Sequence, residues 1–217
     1  MNARTPVPVA LCVAALSALG GCQTTKPYDY TNFRAHPPRS ILILPPLNES
    51  TALEGTYGYL STVTQPVAEH GYYVFPVEVV DRFLKENGMP TAGEMHQVPL
   101  NRVAEITGAD AVLFVTLEQY GSKYRVLNST AIVKVRVKLV DTRTQTLLWE
   151  GRSEAEQSSS GSGNLLADLI AAAIVQAVNS KTDPAHKVSR LANAKLFAAG
   201  NAGLPYGPYS PQYNKEP

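Results

Sequence analysis

The sequence predicts an α/β domain: a mixed sheet of about five strands with helices on both faces. Two observations carry this. Unbroken apolar runs at Ser40–Leu44 and Asp110–Leu117 suit strands buried on both sides, and helical stretches alternate with them. Later the period changes. Val133, Val135, Val137 and Leu139 alternate with Lys134, Arg136 and Lys138, as in an antiparallel strand with one wet face.

The elements follow in order. After the first strand, Pro45-Pro46 stops the run, and Leu47–Thr51 is expected as a polar loop. A helix is expected from about Tyr57 to His70, ended by Gly71, with Pro66 kinking or dividing it. Tyr72–Val77 is aromatic and β-branched and reads as a strand. Two short helices follow: Val79–Asn87, closed by Gly88, and Pro99–Thr107, with proline in the first turn and Gly108 at the stop. The alternating strand from Ala131 turns at Asp141–Gln145 and returns as Leu147–Arg152. Its basic row, Lys134, Arg136 and Lys138, is either a docking stripe for anionic lipid or peptidoglycan, or a solvated sheet face; the solvated face is the cheaper account.

Ahead of the domain lies an export and anchoring signal. An apolar run from Val9 to Leu19 ends in Leu19-Gly20-Gly21-Cys22, which looks like a bacterial lipobox. Signal peptidase would recognise Leu19, Gly20 and Gly21, cut before Cys22, and leave that cysteine acylated. The run is too short to span a bilayer, which takes roughly 20 residues. The organisation expected is therefore residues 1–21 as signal peptide and 22–39 as a lipid-anchored tether. Residues 40–200 form a single α/β periplasmic domain, and 201–217 a Pro/Gly/Tyr-rich tail. The tether, polar and containing Pro27, Pro37 and Pro38, would reach on the order of 55 Å at ~3.3 Å per residue. Gln23 rather than aspartate after Cys22 resembles the lipoproteins that are sent on to the outer membrane.

Cysteine usage fits. The sequence has 2 cysteines, Cys12 inside the signal and Cys22 at the lipid, so the mature domain has no disulfide to lean on. Charge is balanced, with 19 basic and 18 acidic side chains, which argues against a nucleic-acid partner.

Ser158–Asn164 is a Ser/Gly loop feeding a helix at Leu165–Val178. It lacks the lysine of a phosphate-binding loop, so a capped loop is the simpler account than an anion site. The helix is apolar nearly all round apart from Asp168 and Gln176, so most of its surface needs cover. It is either a core helix or a face shared with a second copy, on which Leu166, Ile170, Ala173 and Ala177 would lie. A last helix is expected around His186–Ala199. No catalytic constellation is apparent: the four histidines are scattered, and no G-x-S-x-G elbow occurs. Glu94 and His96 fall in what reads as an exposed loop. No metal, cofactor or enzymatic activity is expected.

Several features together support a resemblance. They are the lipobox, the first strand running into Pro45–Ser50, Val140-Asp141-Thr142, Leu148–Gly151 and the final Tyr206-Gly207-Pro208-Tyr209. These resemble a family of outer-membrane lipoproteins typified by a meningococcal genome-derived antigen. The resemblance covers nearly the whole mature chain. It implies a fold similar to the N-terminal domain of TolB, to the periplasmic domain of the curli secretion lipoprotein CsgG and to the synthase activator LpoB. It also implies self-association, a CsgG-like lipoprotein partner encoded nearby, and a part in an envelope assembly or export complex. An LpoB-like regulator of a peptidoglycan synthase is the alternative, and a short tether counts against it. A pore in the manner of CsgG ranks third, because the 131–139 strand has one expected partner, charged at Glu150, Arg152, Glu154 and Glu156.

Overall fold

A computed structural model describes residues 28–125, 128–158, 184–198 and 202–215. Its six strands are β1 (Ser40–Ile43), β2 (Leu47–Asn48), β3 (Tyr73–Val74), β4 (Ala111–Arg125), β5 (Asn128–Asp141) and β6 (Leu147–Ser158). The helices among the described residues are α1 (Thr31–Ala35), α2 (Gly55–Glu69), α3 (Val77–Glu86), α4 (Ala92–Met95), α5 (Leu100–Thr107) and α6 (Pro184–Phe197). The sheet runs β3-β1-β4-β5-β6, with β2 continuing along β4 beyond β1. β1 is parallel to β3 and β4, whereas β4, β5 and β6 pair antiparallel. The mixed α/β sheet read from the sequence is the one observed.

Strand parity explains the layers. Ile41, Ile43, Leu113, Val115, Val133, Val135 and Val137 belong to one buried cluster, covered by α2 and α6. Their neighbours Leu42, Leu44 and Val112 face the opposite side, where Val80, Leu84, Met95 and Val103 from α3, α4 and α5 meet them. The parallel part of the sheet is thus buried on both faces. Beyond it, the second face of β5 and β6 carries charges.

Several boundaries differ from expectation. Leu47-Asn48 is not a loop but a two-residue strand, paired with Thr116 and Leu117. β3 is shorter than Tyr72–Val77, because Pro76 opens α3 at Val77. β4 runs eight residues past the apolar stretch, carried by a long pairing with β5 through a register shift between Leu117 and Gln119. β5 consequently has two partner strands, not one. Glu94 lies not in a loop but in α4, where Thr91 and Glu94 form a capping box.

The most instructive difference is Pro66. It neither divides nor ends α2, which runs unbroken from Gly55 to Glu69. A proline removes the N–H that would reach the carbonyl four residues back, that of Thr62. That carbonyl accepts instead from Asn193 Nδ2 of α6 at 3.0 Å. The same amide nitrogen meets Thr62 Oγ1 at 3.0 Å, and Tyr59 Oη donates to Asn193 Oδ1. Burial keeps the Tyr59 phenol neutral, its pKa far above the ordinary value. All three side chains are buried between the two helices.

Candidate functional site

The chain joins the domain earlier than the composition of residues 23–39 suggests. Tyr28 Oη accepts from Glu150 N at 2.9 Å, covering a backbone donor of the edge strand β6. Phe33 of α1 is buried in the main core, and Asn32 Nδ2 donates to Leu147 O at 3.2 Å. Tyr30 Oη donates to Gly203 O at 2.6 Å. Residues 28–39, expected as the outer part of a tether, are therefore part of the packed domain.

The C-terminal tail closes on the same end. Gly207 N donates to His70 O at 2.8 Å, Tyr209 N to Gly71 O at 3.0 Å, and Tyr72 Oη to Pro205 O at 2.5 Å. Tyr206 stacks on His70 with centroids 5.1 Å apart. Gly71 has φ +88°, and a Cβ on Gly207 would collide with the Gly71 carbonyl, so two glycines let strap and turn touch. Trp149 Nε1 donates to Ala202 O at 3.1 Å. The tail is irregular, as its composition requires, and packs back on the domain.

At this end Asp110 collects four donors: Arg39 N, Ser40 N, Ser40 Oγ and Arg143 Nη2, at 3.0–3.1 Å. Asp141 accepts from Arg143 N, Thr144 N and Thr144 Oγ1. Burial pushes the Asp141 carboxyl up, but those donors outweigh it and hold it below its ordinary value. Both carboxylates serve the turns that start β1, β4 and β6.

The basic row on the wet face behaves as a solvated face. Lys134 pairs with Glu154 at 2.9 Å, directly across the strands, and Arg136 approaches Glu118 and Glu49 at 3.8 and 3.9 Å. Lys138 stands opposite Glu150. Acidic neighbours thus interleave with the row and leave little positive field.

Near the other face, His96 Nε2 donates to Pro45 O at 2.9 Å, and its ring meets Phe114 edge-on. Burial lowers the His96 pKa, opposed in part by that hydrogen bond. Glu94 is occupied by its cap. Beside them lies an apolar cleft of about 750 Å³ between α3 and α5, floored by Leu42 and Leu44. Phe75, Phe83 and Val98 line it, and Val79 and Ile106 stand 63% and 60% exposed. The helical spacing of Val79 and Phe83 signalled an apolar face; the sequence could not show that the face stays open. Among the described residues no group of three metal-ligating side chains occurs, and no helix is long and apolar enough to cross a membrane.

Leu19, Gly20, Gly21 and Cys22 lie outside the described residues, as do Leu166, Ile170, Ala173 and Ala177 of the expected self-association face. Residues 28–209 match the family described as "Putative lipoprotein GNA1162-like". The chain belongs to the GNA1162-like lipoprotein family. It is 40% identical over 205 residues to the "Putative lipoprotein NMB1124/NMB1162" of Neisseria meningitidis serogroup B, covering 93% of this chain and 95% of that one. The crystal structure of lipoprotein GNA1162 from Neisseria meningitidis is similar at 42% identity and a TM-score of 0.56. It covers 66% of this chain and 100% of that chain. The LpoB C-terminal domain from Salmonella enterica is a distant neighbour, 16% identical with a TM-score of 0.40, over 55% of this chain and 84% of that one. The match to GNA1162-like lipoproteins begins at Tyr28, the first residue that the structure describes.

Proposed function

We propose that this protein is a non-enzymatic, lipid-anchored component of an envelope assembly or export complex. Cys22 carries the acyl chains, the outer membrane holds them, and the domain faces the periplasm. A CsgG-like lipoprotein is the partner that the family resemblance suggests, and self-association through segment 165–178 is the second contact. The observation that carries this reading is the lipobox at Leu19–Cys22 set so close before a domain that packs from Tyr28. From Cys22 to Tyr28 is about six residue steps, on the order of 20 Å at most. Such a leash holds the domain beside its membrane and leaves no reach across the cell wall to a synthase, which disfavours the LpoB-like alternative.

Cells fed an alkyne-bearing fatty acid should label the wild-type protein, and Cys22→Ser should abolish the label and leave an uncut precursor. A photo-crosslinker at Ile170 of the full-length lipidated protein should then capture a second copy or a CsgG-like neighbour. Crosslinks to a peptidoglycan synthase would replace this reading with the regulator. A protein recovered monomeric and alone from the native envelope would refute it.

A further inference from the structure

The short leash and the placement of the exposed side chains around its root lead to one more step, which rests on lipidation of Cys22. We infer that the end of the domain from which the leash emerges is itself a membrane-resting surface, built to lie on the phosphate headgroups of the anchoring bilayer.

The residues at this end are brought together by hydrogen bonds. Arg39 lies beside the start of β3 through Tyr73 N to Arg39 O, 3.0 Å, and Arg143 reaches Asp110 at the start of β4. α1 joins them through Asn32 to Leu147 O, and the tail through Tyr209 N to Gly71 O. Arg34, His36, Arg39 and Arg143 are exposed here. Tyr73 and Tyr209 stand 52% and 62% exposed.

Basic side chains mixed with tyrosines are the composition of a bilayer interface, where phenols sit at headgroup depth and cations meet phosphate. The carboxylates of this end are each engaged by neighbouring groups of the protein. Asp110 and Asp141 are held by the turns described above, Asp29 accepts from Thr31 N and Oγ1 at 2.9 and 2.6 Å, Glu69 accepts from Gln65 Nε2 at 2.8 Å, and Glu150 stands opposite Lys138. Among the described residues Arg34 and Arg39 make no ion pair. On the wet face each cation of the row has an acidic neighbour; here Arg143 has one in Asp110, and the contrast rests on Arg34 and Arg39. Proximity makes the effect strong, because a leash on the order of 20 Å keeps the surface within a few Debye lengths, each about 8 Å at physiological salt, of the headgroups.

The test uses the full-length lipidated protein in vesicles that contain phosphatidylglycerol and a nitroxide-headgroup lipid. Acylation blocks Cys22, so an introduced cysteine is the one free thiol for a fluorophore. Thr144→Cys places the probe at the leash end. Leu53→Cys places it past the start of α2, whose 15 residues separate it from that end by about 22 Å at 1.5 Å per residue. Quenching at position 144 should exceed that at 53 severalfold, and R34E/R39E should cut the ratio below about twofold without altering the melting temperature. Equal quenching at both sites, or a ratio indifferent to charge reversal, overturns the proposal. Flotation read beforehand separates the two ideas: wild-type protein that does not float with the vesicles overturns the lipid anchor and this surface together. Protein that floats with equal quenching overturns the surface alone.

Discussion

The two faces of the sheet are finished in different ways. On the first, α2, α6, α1 and the tail close over one continuous core in which Trp149, Tyr59 and Phe197 are fully buried. Some of its buried polar atoms are paired by distant parts of the chain, as Asn193 does for Thr62 and Ala202 O for Trp149, while Ser153 Oγ and His70 Nε2 have no hydrogen-bond partner among the described residues. On the second face, α3, α4 and α5 cover the parallel strands only, leaving an apolar cleft at their seam and charged side chains beyond. The difference indicates where stability resides and where partners can come. A face closed over by helices and tail leaves little apolar surface for a partner, whereas an open one leaves more.

Truncating Trp149 to alanine is the harshest test of that contrast. It removes the largest fully buried side chain and orphans Ala202 O, so about 3–5 kcal/mol should be lost. Phe83→Ala, at the half-buried wall of the cleft, should cost less than half as much. Urea unfolding followed by circular dichroism measures both. Equal losses would show that the second face is as closed as the first.

Asn193→Ala comes next. It leaves Thr62 O and Tyr59 Oη buried without their partner, which should cost about 2–3 kcal/mol. The informative variant is the pair. Pro66→Ala restores an N–H that can reach Thr62 O, so it should recover part of the loss in the Asn193→Ala background and much less in the wild type. A double-mutant cycle with no coupling would mean that Asn193 does not compensate for the proline.

That pair also shows what the sequence can and cannot say. The apolar runs of β1 and β4 and the alternation of β5 are local patterns, and they were legible. So was Gly108, left-handed at φ 72° as a helix stop should be. Pro66 reads as a break because Asn193, which takes over the Thr62 carbonyl, lies 131 positions from Thr62. β2 is two residues long and leaves no period to detect. The second half of β4, Glu118–Arg125, is polar and is ordered by pairing with β5 rather than by its own preferences. Thr91-x-x-Glu94 was a readable capping box, hidden among residues taken for a loop. Tyr28, Tyr30 and Phe33, three aromatics in a polar stretch, were the signal that the tether ends early. The leash-end surface is invisible in sequence because Arg34, Arg39, Tyr73, Arg143 and Tyr209 come from separate elements.

The titrating groups separate the faces more gently. The pKa of His96 is lowered, so it contributes stability above the unfolded value of 6.5 that is lost as pH falls through that value toward the folded one. The depressed carboxyl of Asp141 acts in the same direction, but below the ordinary value of 3.8. Melting temperature should therefore fall between pH 7 and pH 5 in the wild type. His96→Gln, whose amide can still donate to Pro45 O, should flatten that step, and Asp141→Asn should leave it unchanged. A step that survives His96→Gln would assign it to another group.

The smallest effect bears most directly on the open face. Val79 and Ile106 are large apolar side chains left mostly in water at the rim of the cleft. Val79→Thr and Ile106→Gln remove apolar surface that folding does not bury, so each should change stability by less than about 0.5 kcal/mol. Denaturant unfolding of the purified domain in the full chain checks this. A loss of 2 kcal/mol or more from either would mean that the rim is covered in solution, and the cleft would then count with the closed face. Near-neutral stability combined with loss of a crosslinked neighbour in cells would instead make the cleft the surface that a partner covers.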